Sequence, residues 1–382
     1  MTLTNSDLTA LIALRRTLHR HPEVSGEEIG TARRITTALG PLAPDSLLTG
    51  LGGHGIAATF AGAKPGPTVL FRCELDALPI TETGGAEHRS TVPGTGHLCG
   101  HDGHMAILTG LARLLSRTRP ARGRAVLLFQ PAEETGAGAA MVLADPQFET
   151  VSPDYAFALH NLPGLPLGHV SLIPGPVACA SRGMEITLTG RSAHASQPET
   201  GTSPMAALAR LMPALTALSR GTTASHDFTL ATVTHARMGA AAFGIAPGEA
   251  TLHATLRTLT DDGMAALVAQ AETLVTETAA AHGLAAQIAW HDIFAHAENH
   301  PEATRLIAGA LDALGLPHDG RGLPMRPSED FGQFSHTARA AMLFLGAGTD
   351  HPALHNPDYD FPDDLLPLGV QIFHRIARDL LG

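Results

Sequence analysis

HLCGHDGH, residues 97–104, packs three histidines, a cysteine and an aspartate into eight positions. A Gly/Pro-rich loop, VPGTG, leads into it, and an apolar helix-like run, MAILTGLARLL, leaves it. Thiolate and imidazole are the usual protein ligands of zinc-like divalent ions, and carboxylates complete such sites or orient the imidazoles. The stretch is therefore a candidate metal centre. Taken alone it also reads as a polar loop with a helix cap, in which Asp102 is the N-cap, His104 a first-turn residue and Cys99 a small buried hydrophobe.

The neighbouring segments bear on that choice. Upstream, GIAATFAG and PTVLFRCELDALP are short β-rich runs bounded by Gly and Pro, and the second ends in Glu74 and Asp76. Two residues apart on an extended chain, those carboxylates share a face. Downstream, RAVLLFQPAEETGAGAAMVLAD reads as a buried strand from Ala125 to Phe129, a proline, the adjacent Glu133 and Glu134, and a Gly/Ala helix start. DYAFALHNLPG is a further apolar run that stops on His160, and ARAAMLFLGAG precedes the loop TDHPALHNPDYDFPDD, which carries His351 and His355. Each strand-like run thus has metal-capable or acid/base side chains at or just past its C-terminal end. Alternating strands and helices imply a mostly parallel α/β sheet flanked by helices, and such sheets bind ligands at the carboxyl ends of their strands. The groups are expected to converge on one edge.

At the N-terminus, SDLTALIALRRTLHR reads as an amphipathic helix, HPE as a break, and SGEEIGTARRITTAL as a second helix with Ser25 and Glu28 as a capping box. From the proline-bounded IPGPV onward the texture changes. MEITLTG, a long Ala/Leu helix to Arg220, FTLATVTHARMG, GEATLHATLRTL and DGMAALVAQAETLVTETAAAHG give a β-α-β-β-α-β style order of their own. That predicts a smaller inserted two-layer α+β domain with an antiparallel sheet. The expected organisation is a main domain in two parts, residues 1–175 and 294–382, with the insert at 176–293.

The 382 residues and 44% hydrophobic content support a core in each domain. A formal net charge of −11 with no basic cluster beyond a local Arg pair argues against nucleic acid as a partner. No secretory pattern opens the chain and nowhere do about 18 apolar residues run together, so a protein without membrane contact, in the cytoplasm, is expected. Cys73, Cys99 and Cys179, odd in number and widely spaced, fit a reducing compartment better than a disulfide framework.

Adjacent glutamates on a non-helical loop diverge, so one can bind metal while the other faces a water; a metal acidifies that water, and the second carboxylate can carry its proton to a leaving amine. The competing reading places Glu133 and Glu134 at a helix N-terminus, favoured by the macrodipole. HLCGHDGHMA, FQPAEETGAGA, ALHNLPGLPLG, GRSAHASQPETG, SEDF and LHNPDYDF, in that order, together with HRHPEVSGEE and RCELDALP, resemble the M20 metallopeptidase family over nearly the whole chain. They resemble in particular its amidohydrolase branch of aminoacylases, hippurate hydrolases and auxin-conjugate hydrolases. The resemblance implies a two-metal centre (Mn, Zn, Co or Ni) held by Cys99, His101, Glu134, His160 and His355, with the Cys99 thiolate bridging. It implies Glu133 as general base and acid, Asp76 as a carboxylate behind the metals, and the insert as a lid and dimerisation domain. His194, in the insert, would then stabilise the oxyanion in the site of the other subunit of a homodimer.

The implied reaction is hydrolysis of the amide bond of an N-acyl amino acid or similar small conjugate. Alternatives are a dipeptidase or carboxypeptidase of the same family and a catalytically silent metal-binding relative, the latter disfavoured by retention of Glu133. Three positions depart from the family pattern: Glu74 stands where Asp is usual, Gly244 where Asn is usual, and Ser203 where Asp is common. The Asn in relatives lies near the substrate's carboxylate end, so the departure at Gly244 bears on specificity.

Overall fold

The computed structural model describes residues 2–382. In chain order the elements are α1 (Asn5–Arg20), α2 (Ile29–Leu39), β1 (Ser46–Leu51), β2 (Gly55–Ala61), β3 (Lys64–Glu74), α3 (His101–Arg117), β4 (Arg122–Gln130), α4 (Gly138–Ala144), β5 (Tyr155–Leu162) and β6 (Val170–Ser171). Then come β7 (Ala180–Thr189), β8 (Ala193–His194), α5 (Met205–Thr216), β9 (Thr229–Met238), β10 (Ile245–Ala246), β11 (Glu249–Thr258), α6 (Asp261–Ala281) and β12 (Ala285–Phe294). The chain closes with α7 (Pro301–Leu314), β13 (His318–Asp319), β14 (Arg339–Gly346) and α8 (Leu365–Leu381). Two compact units result: one of Met1–Val177, Glu298–Leu323 and Asp330–Gly382, the other of Ala178–Ala297 and Pro324–Glu329.

The first unit is built on an eight-stranded sheet of order β1-β2-β4-β3-β5-β14-β6-β13. Its centre is parallel: β4 with β3, β3 with β5 and β5 with β14. The antiparallel pairs β1/β2 and β2/β4 lie at one side, and β6 runs antiparallel to β14 at the other. The second halves of β3 and β4 and nearly all of β5 and β14 are buried without alternation, as expected of strands covered on both faces. Leu11 and Leu18 of α1, Leu108 and Leu111 of α3, and Phe373 and Ile376 of α8 pack with Phe71, Phe129 and Phe157 of the sheet. The mostly parallel α/β architecture expected from the alternating pattern is present.

In the second unit four antiparallel strands take the order β9-β11-β7-β12. Here burial does alternate: Leu252, Ala254 and Leu256 of β11 and Met184, Ile186 and Leu188 of β7 point into a core shared with Leu211 of α5 and Leu267 and Val275 of α6. One covered face is the signature of a two-layer α+β unit. None of the helices among the described residues is long and apolar enough to cross a membrane, and Cys73, Cys99 and Cys179 are all buried and unpaired.

Two local expectations fail. The Ser25/Glu28 capping box does not form: α2 begins at Ile29, and Glu28 makes no side-chain cap bond. The Glu23 carboxylate caps it instead, accepting from Gly30 N at 3.0 Å and Thr31 N at 2.6 Å. A capping box does form at α1, between Thr4 and Asp7. The Ala/Leu helix of the second unit ends at Thr216 rather than Arg220, because Arg220 exchanges backbone hydrogen bonds with Thr229 at 2.9 and 3.0 Å.

Candidate metal centre

Past the carboxyl ends of β3, β4, β5 and β14 the first unit gathers the residues singled out from the sequence. Asp76 follows β3, Glu133 and Glu134 lie on the turn between β4 and α4, His160 is near the end of β5, and His355 lies beyond β14. Cys99 and His101 flank Gly100, the N-cap of α3, which has φ 93°. A Cβ at Gly100 would collide with Asn161 Oδ1. Glycine therefore lets the thiol and the imidazole approach the end of β5 from the start of a helix. The N-cap is not Asp102, whose carboxylate is buried against Arg15 at 3.1 Å and His19 at 2.9 Å.

Among the sets of donor atoms that lie within 4.8 Å of one another, three overlap on the residues singled out from the sequence: Cys99, His101 and His160; Cys99, Glu134 and His355; and His101, Glu133 and Glu134. Cys99 Sγ is 3.4 Å from His160 Nε2. His355 Nε2 is 3.5 Å from Glu134 Oε2, and His101 Nε2 is 3.9 Å from both Glu133 and Glu134. Glu133 and Glu134 are on a turn, and α4 starts only at Gly138, so the helix-terminus reading of the pair does not hold.

Hydrogen bonds outside this cluster orient the imidazoles. His101 Nδ1 donates to the Asp76 carbonyl at 2.9 Å, and His160 Nδ1 donates to the Asn161 carbonyl at 2.7 Å. With the proton on Nδ1, the Nε2 lone pair of each ring faces the cluster. His101 Nε2 is buried and makes no hydrogen bond among the described residues. His355 adopts φ 67°, a left-handed conformation rare for a residue with a Cβ, and its N–H donates to Leu98 O at 2.8 Å. Asp76 Oδ2 accepts from Ser25 Oγ at 2.7 Å and from Glu134 N at 2.9 Å.

Burial and the neighbouring carboxylates set the electrostatics of the cluster. Burial, then the Glu134 and Glu133 carboxylates, push the Cys99 thiol well above its usual range. Burial works against charge on His101, yet Asp76 and then Glu74 and Glu134 outweigh it and lift the ring to about 10, so without a cation Nε2 keeps a second proton, which a bound metal would replace. Burial also pushes His160 down to about 3. A thiolate here needs a cation beside it, and two buried Nε2 lone pairs, a thiol and two carboxylates are the donor set of a divalent transition ion. The residues present fit such ions.

His104, left outside the ligand set, donates from Nδ1 to the buried Glu74 at 2.6 Å, with Nε2 2.6 Å from Asn161 Oδ1. Glu74, at the family's usual Asp position, bonds His104 and Arg72, and with His104 and the ligand candidate His101 it forms a further donor set within 4.8 Å. His97 is buried outside all three donor sets, and His351 Nε2 donates to Asp360 O at 2.7 Å. His194 lies in the second unit, exposed on β8, which pairs with β10; its Nδ1 is 2.7 Å from Ser196 Oγ. Ser203 Oγ accepts from Met205 N at 3.3 Å at the start of α5, and Gly244 lies between the exposed Phe243 and Ile245.

Other residues around the cluster were not assigned roles from the sequence. Arg15, His19, Glu82 and Asp360 form a buried network around Asp102, next to the ligand candidate His101; burial works against charge on His19, but Asp102, then the Glu82 contact and Asp360, outweigh it and lift its pKa to about 10. The motif HRHPE contains His19 but offered no signal of its partners.

The profile of peptidase family M20/M25/M40 matches residues 70–379. The N-acetylcysteine deacetylase of Bacillus subtilis (strain 168) is 30% identical over 372 residues, 97% of this chain and 96% of that protein. The IAA-amino acid hydrolase ILR1-like 5 of Arabidopsis thaliana is 28% identical, over 97% of this chain and 86% of its own. The crystal structure of a Bacillus subtilis protein described as a dinuclear metal binding peptidase from the M20 family superposes with a TM-score of 0.82 at 26% identity, covering 99% of both chains. Family match, relatives and architecture agree, and the chain belongs to peptidase family M20/M25/M40.

Proposed function

We propose that the protein hydrolyses the amide bond of N-acyl amino acids or similar small amide conjugates, at a centre of two divalent ions held by Cys99, His101, Glu134, His160 and His355. The observation that carries the reading is the division of the glutamate pair. Glu134 shares a donor cluster with Cys99 and His355, and Glu133 does not, while both come within reach of His101. Cys99, His101 and Glu134 each belong to at least two of the clusters, so these side chains would hold the ions close together, with the Cys99 thiolate supplying the soft donor. Bound divalent ions supply Lewis acidity, which polarises an amide carbonyl and acidifies a water. Glu133 then takes the proton of the attacking water and hands it to the leaving nitrogen, so that a poor amide leaving group departs as an amine. Asp76 fixes the ring of His101 and the backbone of Glu134.

In this reading the first unit is the catalytic domain and the second a lid and dimerisation domain, with His194 donating to the developing oxyanion of the partner subunit's site. A reducing compartment such as the cytoplasm accords with three buried, unpaired cysteines. The deacetylase and conjugate-hydrolase relatives support small N-acyl substrates over peptides.

The test is a panel of N-acetyl amino acids, N-benzoyl amino acids and dipeptides, assayed with manganese, zinc, cobalt or nickel. Glu133→Gln should keep two metal equivalents while turnover falls by on the order of 100-fold or more, and Glu134→Gln should lose metal. Preference for dipeptides would reassign the protein as a peptidase. Equal metal loss in both variants would dissolve the division of the pair.

A further inference from the structure

The turn that carries Glu133 and Glu134 is held from outside. Ala132, directly before Glu133, has φ 51° and is buried. A left-handed residue with a Cβ persists only where its surroundings over-determine it. Its N–H donates at 2.8 Å to Oε1 of Glu28, 104 residues earlier, and the same oxygen accepts from Gly26 N at 2.9 Å. On the far side of Glu133, the N–H of Glu134 donates to Asp76 Oδ2, which also accepts a hydrogen bond from the Ser25 hydroxyl. Two acceptors therefore bracket Glu133, and the short loop between α1 and α2 supplies one of them and steadies the other.

Resting on the amide-hydrolase reading above, we propose that Glu28 is a positioning residue: its Oε1 clamps the left-handed turn at Ala132 and so aims Glu133 and Glu134 at the centre. Glu28 is fully buried, and its second oxygen, Oε2, makes no hydrogen bond among the described residues. Burial, opposed by the N–H donors, raises the carboxyl above its ordinary value. What the turn requires of this side chain is an acceptor at one reach, and a glutamine supplies the same acceptor. Without that acceptor the buried Ala132 N–H loses its partner and the turn its reason to stay left-handed, so the carboxylates that follow lose their direction.

The experiment compares Glu28→Gln, which keeps the acceptor, with Glu28→Asp, which withdraws it by one methylene, and with Glu28→Ala, all in the full chain. In the metal-free protein, amide hydrogen exchange over residues 131–138 should accelerate about 10-fold or more in Asp and Ala variants and remain at the wild-type rate in Gln. Loss of a hydrogen bond that orients metal ligands predicts manganese affinity weaker by roughly 10–100-fold in the same two variants, with recovery in Gln. At saturating manganese kcat should still fall in the same two variants, because Glu133 is misaimed, with KM little changed. A merely structural role at the start of α2 would lower thermal stability and leave exchange at 131–138 and the kcat/KM split untouched. Wild-type exchange and manganese affinity in Glu28→Asp overturn the proposal, as does a Gln variant as impaired as Asp. Asp and Gln decide the matter even where Ala fails to fold. Exchange and manganese binding need no substrate, so a failed amide-hydrolase reading would show as missing turnover in wild type with the exchange contrast intact.

Discussion

Arg72 sits on the buried half of β3 with no exposure, and two carboxylates without exposure converge on its guanidinium. Its Nη2 donates to Asp330 Oδ1 at 2.5 Å, Nε donates to Gln130 Oε1 at 2.9 Å, and Nη1 pairs with Glu74. Glu74 in turn receives His104 Nδ1, next to His160 of the candidate centre. Arg72→Met keeps the aliphatic stem and removes the charge, leaving both carboxylates buried without their cation, a loss of about 3–5 kcal/mol. Replacing the cluster as a whole, with Glu74→Gln and Asp330→Asn added, should recover most of it, because amides carry no charge to desolvate. The pH dependence follows from sign. In the wild type, burial would raise Glu74, but Arg72 and then His104 outweigh it and hold its pKa well below the ordinary carboxylate value. A depressed folded pKa contributes stability above the unfolded value, about 4.3, that is lost only as pH falls below it. In Arg72→Met the largest opposing charge is gone, the folded pKa moves up, and protonation relieves the variant on acidification. The wild-type advantage should therefore be greatest near pH 7 and narrow toward pH 5. Urea unfolding of the metal-free protein followed by far-UV circular dichroism measures it, with fluorescence of Trp290, in the second unit, as an internal reference. A loss below about 1 kcal/mol at pH 7, or a gap that widens on acidification, would refute the reasoning.

Cys99→Ser should lose bound metal and activity while circular dichroism stays native, since the core of the first unit does not depend on one loop; two metal equivalents per purified chain would remove Cys99 from the ligand set. His194→Ala should keep its metals and lose a transition-state contact worth roughly 3 kcal/mol. Co-expressed with Glu133→Ala, it should regain about a quarter of wild-type activity through mixed two-fold dimers; no recovery, with mixed dimers confirmed by mass spectrometry, would place His194 in its own subunit's site or outside catalysis.

The architecture was legible because its signals are local and repeated. Apolar runs such as 125–129 and 340–345 are unbroken, each is followed by chemistry-bearing residues, and a parallel sheet brings those ends together. Asp76, the Glu133/Glu134 pair, His160 and the loop with His351 and His355 could be expected to converge without knowing their separations, because sheet topology supplies the convergence; the choice of Cys99, His101, Glu134, His160 and His355 as ligands rests on the family resemblance. What sequence patterns missed were side chains whose partners are remote. Asp102 reads as a cap and is instead buried against Arg15, 87 residues away. The two capping boxes show how such competitions are decided. Thr4 and Asp7 form theirs at the start of α1, where Asp7 Oδ2 takes the Thr4 N–H at 2.9 Å while the same carboxylate also pairs with Arg117, so the second demand is met without breaking the box. Ser25 and Glu28 have the same spacing and do not. A cap contributes about 1 kcal/mol, and Glu23 supplies it to α2 from another direction. Leaving the buried N–H of Ala132 without an acceptor costs about 1–3 kcal/mol, and Glu28 is the side chain that reaches it. The larger penalty takes the carboxyl, and a local rule that ranks only residues within one helical turn has no access to the group that outbids it.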